Sequence, residues 1–255
     1  MTNLLDFPFI LSALVFVVLM VSTRIGVWCR KRPWKLKEDE RDDFNIVLGA
    51  SLTLLGLIIG FTFSMALNRY DERKNYEEAE ANAIGTEFVR ADLLPAADGA
   101  RVRVLLRDYL DQRILFYRSR DQRQLREINA STAQLQNELW SVVQAAAAAK
   151  PTPVIALTVS GMNDVLNSQG YTQAAWWNRI PISAWVLMAA IAICCNLLIG
   201  YATRQAEVKA IWLLVLPLLV SISFFLIADV DSPRGGIIRV RPENLVSVSQ
   251  SWRQH

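Results

Sequence analysis

Between Phe44 and Leu67 the chain runs for 24 residues without a charged side chain, and then turns densely charged through Arg69, Asp71, Glu72, Arg73, Lys74, Glu77, Glu78 and Glu80. A helix rises 1.5 Å per residue, so the uncharged stretch reaches roughly 36 Å, enough to cross a hydrocarbon core about 30 Å thick. No proline or glycine pair interrupts the change in composition. Residues 44 to 94 are therefore predicted to be one helix that leaves a membrane and continues into water.

Three further apolar runs, Phe7 to Trp28, Ile182 to Thr203 and Ala210 to Ala228, are also long enough to span. With 53% hydrophobic residues, they set the expected fold class. It is all-α, with four transmembrane helices and an extramembrane helical bundle inserted between the second and third spans. The expected organisation is residues 1–68 for transmembrane helices 1 and 2, 69–178 for the bundle, 179–228 for transmembrane helices 3 and 4, and 229–255 for a C-terminal tail. The N-terminal run begins after Asp6, without a basic flank, and exceeds the apolar core of a signal peptide, so it should be retained.

Function classes narrow quickly. A net charge of +3, scattered outside the apolar runs, leaves no footprint for nucleic acid. Cys29, Cys194 and Cys195 have no ligand spacing and read as small packing residues, and the sole histidine is the terminal His255. No nucleophile motif, phosphate loop or pair of catalytic carboxylates is present, so neither an enzyme nor a cofactor is expected.

The second span carries Gly49, Thr53, Gly56, Gly60 and Ser64 at steps of four, three, four and four, one face of small residues. Such a face packs against another helix or lines a pore. In the expected bundle, Val102, Leu105, Leu106, Tyr109, Leu110 and Ile114 form a helical stripe after a turn at Ala96 to Gly99. Leu125, Ile128, Thr132, Leu135, Leu139, Val142 and Ala146 make a heptad seam whose burial wants partners. A last helix is expected from Pro153 to Gly170, and the bundle's charges read mostly as a solvated face. Trp176, Trp177 and Arg179 before Pro181 read as a return to the membrane interface. Asn196, inside the third span, suits an interhelical hydrogen bond, and Pro217 should kink the fourth.

Gly60-Phe61 followed by Arg69-Tyr70 resembles the pore helix of bestrophin anion channels, and NRYDERK at 68–74 is similar to the stretch after that helix in bacterial bestrophins. EANAIGT at 80–86, RADLLP at 90–95 and IADVDSPRGGIIRV at 227–240 resemble the bestrophin-like family of bacterial integral membrane proteins, whose function is not settled. That resemblance implies an oligomeric anion channel with the second span lining the pore. Phe61 matches a neck residue, and Leu57 and Thr53, one and two turns earlier, would complete an apolar constriction. Thr53 departs from the family's more uniformly apolar neck. The small residues Gly49, Gly56, Gly60 and Ser64 would pack the helices.

The implied partners are the lipid bilayer, further copies of the chain in a ring, a pentamer if bestrophins are the guide, and small anions such as chloride. Basic residues are balanced across the expected spans, and the first span alone favours an outside N-terminus. The resemblance instead places both termini and the bundle in the cytoplasm, at a bacterial inner membrane. Asp229 and Asp231 fall where calcium-regulated bestrophins carry an acidic cluster after the last span, and helix-end capping or contact with arginine is the competing use. A different class of function, a membrane-embedded sensor or scaffold whose bundle binds a ligand or partner without conduction, stays open.

Overall fold

The structure, a computed structural model, describes residues 4–30, 40–203 and 210–253. Among these it is built of eight α-helices, α1 Pro8–Arg30, α2 Glu40–Arg90, α3 Ala96–Arg118, α4 Gln122–Ala149, α5 Pro153–Trp177, α6 Ile182–Ala202, α7 Ala210–Asp231 and α8 Glu243–Arg253, with short 3-10 turns at Leu4–Asp6 and Ala91–Leu93. Four helical stretches, Pro8–Arg30, Glu40–Leu93, Pro153–Ala202 and Ile211–Asp231, are long and apolar enough to cross a membrane. His255 lies outside the described residues.

The chain divides into two compact units. The first comprises Met1–Arg69 and Arg179–Arg239, the second Tyr70–Asn178 and Val240–His255. In the first, α1 packs on α6 and α7. Phe9 and Phe225 meet with ring centroids 4.9 Å apart, Trp185 and Phe224 at 5.9 Å, and Phe44 of α2 meets Tyr201 of α6 at 5.7 Å. Asn196 is fully buried, and the Thr23 hydroxyl of α1 donates to its Oδ1 at 3.2 Å, the interhelical bond expected of it. Cys195 is buried, whereas Cys29 and Cys194 are exposed. Pro217 lies inside α7, which stays one helix.

The second unit surrounds an apolar core drawn from α2, α3, α4, α5 and α8. Here the structure corrects several expectations. Ala96 to Gly99 is the first turn of α3, entered directly from Pro95, because the missing N–H of proline costs nothing ahead of a helix. Gly99 is needed there, since a Cβ would overlap the Ala91 carbonyl. Asp121 caps α4 by accepting the Arg123 N–H at 3.0 Å, and Thr152 caps α5 by accepting that of Ile155 at 3.2 Å. Helix α5 passes Gly170 without breaking and ends at Trp177. The heptad residues of α4 are buried, apart from half-buried Leu135, and they are covered by α3 and α5 of the same chain. They need no second chain. Trp176 is not an interfacial anchor, for it is buried against Phe116 and Tyr117 at 5.0 and 5.5 Å. The tail after Pro242 forms α8, whose Trp252 stacks on Phe88 at 4.0 Å.

Candidate functional site

Helix α2 is 51 residues long and begins at Glu40, so Asp42 and Asp43 lie within its first turn, where their charge complements the helix dipole, and do not cap it. In its uncharged half, Leu55, Thr62 and Ala66 are buried. Steps of seven and four at about 100° per residue put these three in one line and place Thr53, Gly60 and Ser64 on the opposite side. That opposite side is exposed: Leu57 is 52% and Phe61 62% accessible, and Thr53, Gly56, Gly60 and Ser64 are exposed with them. A Cβ built on Gly49, Gly56 or Gly60 meets nothing within 4 Å. The residues expected to line a neck and those expected to pack helices thus share one face, and within this chain that face is bare.

The close helix contact made by glycine is elsewhere. Gly26 of α1 and Gly200 of α6 approach so nearly that a Cβ on Gly26 would lie 3.0 Å from the Gly200 Cα, and one on Gly200 would overlap the Thr23 carbonyl oxygen. Two lone glycines on separate helices form no spacing motif, which is why sequence reasoning passed over them.

Asp229 and Asp231 are both buried at the end of α7. Asp229 accepts the Ile237 and Ile238 N–H groups at 2.7 and 2.9 Å. Asp231 accepts the Ile180 N–H at 3.1 Å and a long contact of 3.4 Å from Arg179, whose Nη1 also pairs with Asp6 at 2.5 Å. A hard cation such as calcium asks for six to eight oxygen ligands. Here N–H donors meet the carboxylates and fold the chain back after α7.

The Bestrophin-like domain profile matches residues 13–245. The chain belongs to the bestrophin-like family. No curated protein sequence matches it. A bacterial bestrophin homologue from Klebsiella pneumoniae carrying a point mutation is similar with a TM-score of 0.63 and 11% identity, over 95% of this chain and 98% of the other. A second variant of that homologue gives 0.64 and 12% over 94% and 97%, and a further structure of it 0.61 and 12% over 93% and 98%. At such identity the likeness is one of fold.

This bestrophin-like chain also buries charges that its sequence disguised. Arg73, Glu77, Glu80, Ile84 and Glu87 of α2, and Ala91 in the 3-10 turn after it, follow one another at steps of four, three, four, three and four, and all are at most 1% accessible. Most charged residues of this unit are exposed as expected, but these, with Arg113, are packed inside it. Their heptad spacing was the available signal, concealed because the positions are not apolar. Glu80 receives Arg113 Nε, the Thr172 hydroxyl at 3.1 Å and the Tyr117 hydroxyl at 3.3 Å. Burial pushes the Arg113 guanidinium down, and the Glu80 carboxylate together with the Tyr109 and Tyr117 phenols outweighs it, so the arginine stays charged. The same burial, followed by the nearby Glu80 charge, raises the Tyr109 and Tyr117 phenols. Glu77 accepts the Leu245 N–H at 3.0 Å and the Asn244 amide at 2.6 Å, tying α8 to α2, while burial raises its carboxyl above the usual range.

Proposed function

We propose that this membrane protein is an oligomeric anion channel whose pore is lined by α2. The observation that carries the reading is the bare face of α2: its uncharged half, secured on one side by Leu55, Thr62 and Ala66, turns Thr53, Leu57 and Phe61 outward. Family membership and the resemblance to bestrophin anion channels point the same way. In a ring of copies, five if bestrophins are the guide, Phe61 and Leu57 form an apolar constriction that gates by excluding water, and Thr53 adds hydroxyls at its end. Gly49, Gly56, Gly60 and Ser64 let neighbouring α2 helices approach closely.

On this reading the four apolar stretches sit in a bacterial inner membrane, the unit of Tyr70–Asn178 with Val240–His255 lies in the cytoplasm with both termini, and chloride is the representative ion. A sensor or scaffold retains one observation in its favour, since that unit has a core of its own. Purified protein in liposomes, loaded with a chloride-sensitive dye, separates the two. A channel discharges a chloride gradient and runs as a closed ring in native mass spectrometry, and a strictly monomeric, non-conducting protein defeats the reading.

A further inference from the structure

Glu87 stands apart from the other carboxylates on its face of α2. Glu77 and Glu80 are each met by two or more donors, whereas both oxygens of Glu87 are buried with no hydrogen-bond partner. The group lies against α5 at Gly161, the position where a Cβ would overlap Glu87 Oε2 and Arg90 Nη1 and would stand 3.1 Å from Arg90 Cδ. One turn earlier on α5, buried Thr158 donates its hydroxyl to the Arg90 carbonyl at 3.3 Å, fastening α5 to the end of α2. The seam between the two helices is thus closed around a carboxyl group that makes no hydrogen bond, with Arg90 the nearby cation.

Burying an ionised carboxylate without donors is far costlier than burying the neutral acid. Burial accordingly pushes the Glu87 carboxyl up to about 8, with Arg90 on its own helix pulling it down and Asp164 on α5 raising it further. Glu87 lies 20 residues beyond Leu67, roughly 30 Å along the helix from the end of the uncharged run.

We propose that Glu87 is a proton-binding site in the α2–α5 seam, which holds the seam closed when neutral and loosens it when ionised. The sign follows from linkage. A carboxyl raised in the folded state contributes stability that is complete below the ordinary carboxylate range and is lost as pH climbs through the folded value. The seam is tighter at pH 6 than at pH 9. This does not depend on whether the protein conducts ions.

Hydrogen exchange of the full chain in detergent micelles, corrected for intrinsic rates, tests it between those two pH values. Protection of amides in residues 155–165 should fall at least about tenfold on going to pH 9, while α4 stays protected. Glu87→Gln, neutral throughout, should keep the protection of the low-pH form and abolish the step. Asp164→Asn removes a like charge and should move the midpoint to lower pH. An unchanged wild type, a step that survives in Glu87→Gln, or a midpoint unmoved by Asp164→Asn would overturn the proposal, and the last outcome remains decisive even if the Gln variant fails to fold.

Discussion

Gly26 on α1 and Gly200 on α6 leave no room for a methyl group: a Cβ on Gly26 would overlap the Leu197 carbonyl oxygen, and one on Gly200 the Thr23 carbonyl oxygen. Both obstacles are backbone, which cannot swing aside as a flexible side chain can. Gly26→Ala and Gly200→Ala should each destabilise the protein by about 1–3 kcal/mol, the range for overpacking a tight contact. Gly60→Ala, with nothing within 4 Å, should leave the fold of a single chain unchanged. Thermal unfolding in detergent compares the three.

Removing one partner of the buried Glu80–Arg113 pair leaves the other buried without its counterion. Arg113→Met should cost about 3–5 kcal/mol, and adding Glu80→Gln should recover part of that loss. A double-mutant cycle in denaturant measures the recovery, which is absent if the two groups act independently.

Asp229→Ala would remove the acceptor of the Ile237 and Ile238 N–H groups, for which about 0.5–1.5 kcal/mol per hydrogen bond is expected. Because N–H groups already occupy the carboxylate, calcium or a chelator should leave the melting temperature of the wild type unchanged. A calcium-dependent rise that disappears in the variant would contradict this.

How far the fold could be read depended on whether a residue's environment is set by its neighbours in sequence. The uncharged run before Asn68 and the heptad of α4 announced themselves, because hydrophobic spacing and helix periodicity are local. What covers a heptad is not local: Leu125 to Ala146 looked like an association seam and is filled by α3 and α5. Gly170 reads as a helix end by propensity, yet packing on either side carries α5 through it. Glu87 and Arg113 do not stand out from the mostly solvated charges in composition, and only their tertiary surroundings mark them as core. At the α2 face, the residues Thr53, Leu57 and Phe61 could be named from sequence, while their exposure could not, since it depends on which side of α2 the rest of the chain occupies.

Orientation is open to a direct test at Ser131, an exposed position on α4. In a background with Cys29, Cys194 and Cys195 replaced, Ser131→Cys should resist an impermeant thiol reagent in intact cells and react once the cells are opened. Rapid labelling of intact cells would place this unit outside.

Phe61 carries the central claim. It is 62% exposed on its own chain, so truncating it removes little intrachain burial and should barely alter the stability of a single chain. If copies surround an aqueous axis, Phe61→Ala widens and wets the constriction. Planar-bilayer recording of wild type and Phe61→Ala, with thermal unfolding measured on the same preparations, is the most direct measurement. The account predicts a chloride current that rises or loses its gating in the variant at nearly unchanged melting temperature. A lowered melting temperature with no change in current would contradict it and would make Phe61 a packing residue between helices.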